Sequence, residues 1–299
     1  MIFKSSKNES GQALLIVLLS MAVVLTIVLS ILARSITDLS FSSQDEDSLR
    51  AFSAAEAGVE KALIIGSDIG STSIGSATYN ASVSSSAEGE KVFSNPISLT
   101  SGESTTIWFI AHDEGGDFTC SLEKPCFKGN KMKVCWGKTG TSSSSDTTPA
   151  IEVSIFYTIT PGDYSTTKIA RVALDPNESR RALNNFSAPD GGTCTLGDNT
   201  YQFQKTIVFS DINIPVAVQN QENGLQFAKV RFFYNTDTTH NVGFDVDFPG
   251  NTLFPSQGIK IESFGTSGDA NRKLDVYQSY AETPEIFDSV VFSGGGVTK

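Results

Sequence analysis

A run of 24 uncharged residues between Glu9 and Arg34 constrains this chain most strongly. Coiled as an α-helix at about 1.5 Å per residue, the run is about 36 Å long, whereas the hydrocarbon core of a bilayer is about 30 Å thick. The run therefore predicts a transmembrane helix over residues 12–33. Lys4 and Lys7 precede it, and the positive-inside rule then predicts a single-pass protein with a cytoplasmic N-terminus and its bulk outside.

A cleaved signal peptide is an alternative interpretation of the same run. Signal peptides have shorter apolar cores, about 7–15 residues, which end at small residues in an A-x-A-like pattern. Ala33-Arg34-Ser35 meets that pattern loosely, so a secreted protein that begins near Arg34 stays open as an alternative.

The helical pattern continues beyond the apolar run. From Arg34 to Ile65 there is no Pro and one Gly, and apolar residues recur every three or four positions, as in an amphipathic helix. This apolar stripe comprises Leu49, Phe52, Ala55, Val59 and Leu63. We expect an amphipathic continuation over residues 34–65 that lies against a globular domain, so that one helix runs from about Gln12 to about Ile65. An ordinary anchor followed by a separate amphipathic helix fits the pattern equally well.

The sequence LRAFSAAEAGVEKAL, from Leu49 to Leu63, follows an apolar helix and a short basic leader that ends in Gly11. This combination resembles the N-terminal segment of type IV pilins, most of all the PilX-type minor pilins and more distantly the K-type minor pseudopilins of type II secretion. The resemblance covers about residues 5–65. It implies that a prepilin peptidase removes a leader of residues 1–11 by cutting between Gly11 and Gln12, and that the helix then packs with other subunits in a filament.

Two departures from the major pilins bear on the kind of subunit. The mature chain would begin with Gln12 instead of Phe, and Ile16 stands where major pilins carry a Glu. Subunits of this family without that Glu tend to be minor or tip components, so the resemblance implies a minor pilin. Its implied partners are other pilin subunits, the inner-membrane assembly machinery, the prepilin peptidase and membrane lipid, and its implied final location is an extracellular filament.

Beyond residue 65 the sequence predicts a mainly antiparallel β region, which gives an overall fold of a long N-terminal helix followed by β-sheets. The polar stretch 66–90 reads as loops with short strands. Strand-like runs then alternate with turn signals. They cover residues 105–112, 131–137, 150–160, 167–174, 201–209, 228–235, 242–248, 258–265, 272–280 and 286–294.

Two polar stretches suggest how the β region is divided. Residues 137–150, GKTGTSSSSDTTPA, read as a flexible hairpin loop or a small linker. A break near NNFSAPDGGTCTLGDN predicts two lobes, 66–190 and 191–299. Seven aromatic residues within the strand-like runs are predicted core residues, namely Trp108, Phe109, Phe232, Phe233, Tyr234, Phe287 and Phe292.

The four cysteines, Cys120, Cys126, Cys135 and Cys194, all follow the apolar run and lie on the predicted outer side. Four thiols in an oxidising compartment indicate one or two disulfides, and full pairing has three connectivities. We expect a bond among the first three cysteines, which cluster in a loop-rich stretch. Their spacings do not match the C-x₂₋₄-C pairs of zinc sites.

The remaining residues favour a structural protein. The chain has two histidines and a net charge of −11, which argues against a nucleic-acid partner. The sequence has no nucleophile elbow, P-loop or dinucleotide-binding spacing, so we expect no enzyme, metal site or cofactor. The predicted function is a minor pilin-like subunit of a type IV pilus or a related filament. The alternatives are a minor pseudopilin of a type II secretion or DNA-uptake system, and a single-pass membrane-anchored surface β protein with an adhesive or binding role, for which no motif identifies a ligand.

Overall fold

The computed structural model of the chain describes residues 10–113 and 115–282. It begins with helix α1 (Ser10–Ile65), and two short helices follow, α2 (Glu178–Asn184) and α3 (Val216–Gln219). The strands are β1 (Ile69–Ile74), β2 (Ala77–Ser85), β3 (Val92–Ser94), β4 (Ser104–Trp108), β5 (Ala111–His112), β6 (Phe118–Thr119), β7 (Lys131–Lys138), β8 (Ala150–Thr158), β9 (Thr167–Leu174), β10 (Cys194–Leu196), β11 (Asn199–Val208), β12 (Leu225–Phe233), β13 (Val242–Asp245), β14 (Gly258–Ser267) and β15 (Ala270–Ser279). The layout confirms the predicted fold class.

Helix α1 is one continuous helix, which decides between the two equally weighted predictions. Between residues 12 and 65 the sequence has no Pro and a single Gly, Gly58, so nothing in this stretch removes a backbone hydrogen bond. The helix ends where Gly66 adopts a φ of 72° and donates its N–H to the carbonyl of Ala62 at 2.8 Å. Glycine at this position accepts the left-handed conformation that closes a helix.

The chain forms two compact units. Among the described residues, the first contains 10–83 and 261–276, and the second contains 84–113, 115–260 and 277–282. The predicted division into lobes 66–190 and 191–299 is therefore wrong. Strands from the two sides of residue 190 pair with each other, β7 with β11 and β8 with β12, so no domain boundary lies there.

The first unit combines α1 with a four-stranded sheet in the order β1-β2-β14-β15. Strands β1 and β2 form a hairpin in the stretch predicted as loops with short strands, and its two-residue turn is Gly75-Ser76. Gly75 has a φ of 58°, as tight hairpin turns require. The strands are longer than predicted, because Ser, Thr and Gly dominate the stretch and leave few apolar side chains to mark them.

The second unit consists chiefly of two antiparallel sheets around one core. The five-stranded sheet has the order β10-β11-β7-β13-β3 and the four-stranded sheet the order β4-β12-β8-β9. One buried cluster joins the two sheets. It contains Val134 and Trp136 of the five-stranded sheet and Val153, Ile155 and Ala228 of the four-stranded sheet. Burial of such apolar side chains is the main favourable term in folding.

Most of the strand and core predictions fall within the described residues and are confirmed. Each of the nine predicted runs before residue 282 overlaps at least one strand, whereas the run 286–294, with Phe287 and Phe292, lies outside the described residues. Trp108, Phe109 and Phe232 are buried. Phe233 and Tyr234 are only half-buried, since they lie at the end of β12 and just beyond it.

Candidate functional site

The N-terminal part of α1 exposes an apolar surface. From Leu14 to Leu32, the large apolar side chains are 45–70% exposed. The helix is long and apolar enough to cross a membrane. The hydroxyls of Ser20 and Thr26 donate to the carbonyls of Val17 and Val23 at 2.9 and 2.8 Å. These two hydroxyl groups thus find their hydrogen-bond partners within the helix, whereas lipid would offer them none.

The residues of the predicted cleavage site lie at the start of this helix. Gly11 and Gln12 are in the first turn of α1. Ile16, one turn further on, is 63% exposed. The helix has no acidic residue before Asp38, so its apolar part carries no charge that would need a partner in lipid.

The C-terminal part of α1 packs on the sheet of the first unit through small residues. Its buried positions recur at steps of three and four residues, and they are Ala51, Ala54, Ala55, Gly58, Val59 and Ala62. Strand β14 contributes Gly265 to this contact, where an added Cβ would lie 2.0 Å from the Ala51 carbonyl oxygen. The small side chains thus let the helix backbone approach the strand backbone closely.

Polar contacts reinforce the docking of α1 within the first unit. The hydroxyl of Ser267 donates to the carboxylate of Asp47 at 2.9 Å. Arg272 of β15 donates to the hydroxyl of Ser48. Both contacts lie where α1 first meets the sheet, about one helical turn before the small buried residues begin at Ala51.

The predicted apolar stripe is only partly buried. Ala55 and Val59 lie against the sheet as expected, with exposures of 0% and 8%. For Leu49, Phe52 and Leu63 the prediction of packing against the domain is wrong, because these side chains are 69%, 40% and 40% exposed. Leu49 lies beside the β1–β2 hairpin, next to Arg50, which pairs with Glu46 and donates to the hydroxyl of Ser76 at 3.2 Å.

All four cysteines are paired in two disulfides, Cys120–Cys126 and Cys135–Cys194. The first bond closes the loop-rich segment in which a disulfide was expected. The second links β7 to β10 across a separation of 59 residues. A bond that closes such a long loop removes much of the entropy of the unfolded chain, about 4 kcal/mol on the chain-entropy estimate.

Both histidines are buried in the second unit. The backbone N–H of Lys138 donates to Nδ1 of His240 at 3.0 Å, and burial lowers the pKa of this imidazole. Burial also lowers the pKa of His112, to about 4, and its ring stacks on Tyr280 with centroids 3.8 Å apart. Among the described residues, no group of three or more His, Cys, Asp and Glu side chains could hold a metal ion.

No family model, curated protein or solved structure matches this chain. The functional assignment therefore depends on the residues and contacts of the chain itself.

Proposed function

We propose that this protein is a minor pilin-like subunit of a type IV pilus or a related filament, held in the membrane by α1 until it is assembled. The observation that carries the proposal is the single helix from Ser10 to Ile65. One end of it is an exposed apolar rod, and the other end is part of a folded unit with an antiparallel sheet. The chain can therefore exchange lipid for other helices around the apolar rod while its sheet keeps its contacts with α1.

The exposed residues of α1 support contacts with neighbouring subunits. Leu49, Phe52 and Leu63 remain accessible to solvent in the folded chain, and Ile64 is 86% exposed. Apolar side chains grouped on one surface are typical of interaction sites. Ile16 in place of an acidic residue favours a minor subunit, because the family's usual charge pairing between neighbouring helices has no counterpart here.

Gly11→Arg is expected to block removal of the leader. A prepilin peptidase that cuts after Gly11 would meet a bulky charged side chain at the bond, so the variant should retain residues 1–11 and stay in the membrane. The measurement is the intact mass and N-terminal sequence of protein from native membranes. The control is the unmodified chain, which should begin at Gln12 when the peptidase is present and at Met1 when the peptidase gene is deleted.

The other N-termini that this measurement can find would contradict the proposal. Unmodified protein that begins at Met1 in the presence of the peptidase indicates an anchored surface protein. A chain that begins at Arg34 or later indicates a secreted β protein. Normal removal of the leader in Gly11→Arg would contradict the pilin proposal as well.

Leu18→Asp is expected to weaken membrane insertion by about 2.5–3.5 kcal/mol, because a carboxylate near the centre of a spanning helix is poorly solvated. Leu49→Asp is the matched control. Leu49 has a similar exposure on the same helix, 69% against 61% for Leu18, but lies beyond the apolar run. The inserted fraction in a membrane-integration assay measures the effect, and equal insertion of both variants would refute a membrane role for residues 12–33.

A further inference from the structure

A cavity of about 640 Å³ opens on the second unit. Its volume lies within the range of about 300–1,000 Å³ that is typical of ligand pockets. Three chain segments form its walls: residues 85–89 at the end of β2 and just beyond it, residues 122–125 of the segment closed by the Cys120–Cys126 disulfide, and residues 252–256 before β14. Because the disulfide closes one of these segments, that wall is held in shape independently of any ligand.

The inner lining of the cavity is mostly apolar, with the His112 imidazole as its polar group. Ala111, His112, Phe254 and Pro255 are buried there, and the Tyr280 ring stacks on the imidazole of His112. The pKa of His112 is lowered to about 4, chiefly by burial. The imidazole is therefore neutral at neutral pH and does not repel a cation.

The rim of the cavity is acidic. Glu88 and Glu123 stand exposed on two different walls. Within the described residues, neither carboxylate has a basic side chain within 4.0 Å. One positive charge is present, the ammonium of Lys124, which donates to the backbone carbonyl of His112 at 3.1 Å. The lining thus carries a net charge of −1, in a chain whose own charge is −11.

We propose that this cavity binds an arginine side chain of a partner polypeptide. The apolar stem of arginine suits the uncharged inner lining, while its guanidinium can lie against the Tyr280 ring and pair with the rim carboxylates. Leu122 and Leu253, fully exposed and 44% exposed at the rim, offer apolar contacts to the residues that flank the arginine. They favour a polypeptide over a free cation. The inference does not depend on the filament proposal.

The test is a calorimetric titration of the full-length protein in detergent micelles with the capped peptide acetyl-Ala-Arg-Ala-amide. The same peptide with citrulline in place of arginine keeps the shape and removes the charge. We expect saturable binding of the arginine peptide with a Kd of about 1 mM, and binding of the citrulline peptide that is about fivefold to tenfold weaker, as for the loss of two partly exposed ion pairs.

A double variant of the rim separates the site from the general charge of the protein. E88Q/E123Q should weaken binding of the arginine peptide about fivefold to tenfold. E60Q/E90Q changes the net charge equally at exposed positions that do not line the cavity, and it should bind like the unmodified protein. Equal binding of the two peptides, an equal loss in both double variants, or no saturable binding of the arginine peptide would overturn the proposal.

Discussion

Gly265→Ala is expected to destabilise the first unit by about 3 kcal/mol, at the upper end of the usual cost of overpacking. The new Cβ would lie 2.0 Å from the Ala51 carbonyl oxygen and 2.6 Å from the Ala55 backbone nitrogen. Both obstacles belong to the backbone of α1, so no side-chain rotation can relieve the clash, and the helix must move away from β14. Hydrogen exchange at the amides of residues 51–62 measures the effect, with an expected loss of protection of about a hundredfold.

Gly70→Ala is the matched control for this prediction. Gly70 lies in β1 of the same sheet, and an added Cβ there meets no atom within 4 Å, so protection of α1 should stay unchanged. Gly58→Ala adds a second comparison, because its Cβ would lie 2.2 Å from the Ser263 hydroxyl, a side-chain atom. Ser263→Ala should therefore rescue Gly58→Ala in part, since the Tyr79 ring would still lie 3.0 Å from the new Cβ, but it should not rescue Gly265→Ala. Full protection in Gly265→Ala would refute the close backbone contact.

Helical structure over residues 12–65 and the positions of most strands could be predicted because the signals for them are local, whereas the choice between one helix and two could not. Absence of Pro and a helical periodicity act within a few turns, and alternation acts within one strand. The same pattern identified the buried face of α1 only in part, at Ala55 and Val59. Large apolar residues such as Leu49 and Phe52 dominate a hydrophobic pattern, yet the sheet lies against alanines and Gly58.

The buried face of α1 depends on a residue that the helix sequence cannot reveal. A small-residue stripe becomes a packing surface only when the facing strand has Gly265 to match it, and that strand lies far along the chain. The spacing of Ala51, Ala55, Gly58 and Ala62 was the signal available in the sequence. It indicates close approach of another backbone, but it does not identify which one.

The cavity could not be predicted for a related reason. Its lining comes from five separate parts of the chain, among them residues 85–89, 122–125 and 252–256. Each part is short and reads as ordinary loop. The two histidines were visible in the sequence, but burial and the stacking of His112 on Tyr280 are consequences of tertiary packing.

Residues 137–150 show how composition misleads about order. This Ser- and Thr-rich stretch reads as a flexible loop, yet Arg180 of α2 holds it through the carbonyls of Asp146 and Thr148 at 2.6 and 2.7 Å. Asn177 adds a bond to the carbonyl of Ser145 at 3.0 Å. The loop is therefore fixed by side chains from a helix about 30 residues later in the sequence.

Asp175 organises these contacts. Its side chain is fully buried. The carboxylate accepts hydrogen bonds from Nε and Nη2 of Arg180, at 3.0 and 2.8 Å, and from the side-chain amide of Asn184 at 2.8 Å. The guanidinium also lies 4.1 Å from the centre of the Tyr234 ring. A bidentate pair of this kind fixes geometry as well as charge.

Asp175→Ala is expected to destabilise the second unit by about 3–5 kcal/mol, because it leaves the nearly buried guanidinium of Arg180 without its carboxylate. Urea unfolding of the full-length protein, followed by tryptophan fluorescence, measures the loss. Both tryptophans of the chain, Trp108 and Trp136, lie in the second unit, so this signal reports on that unit alone.

Asp247→Ala removes the same charge from a surface pair and serves as the control. Asp247 pairs with Lys91 at 2.9 Å, with side-chain exposures of 61% and 58%, so its loss should cost less than about 1 kcal/mol. A loss in Asp175→Ala as small as that of the control would show that the polar stretch 137–150 is held by something other than this ion pair. A much larger loss in Asp175→Ala would instead tie the order of the loop, and with it the connection between β7 and β8, to one buried carboxylate.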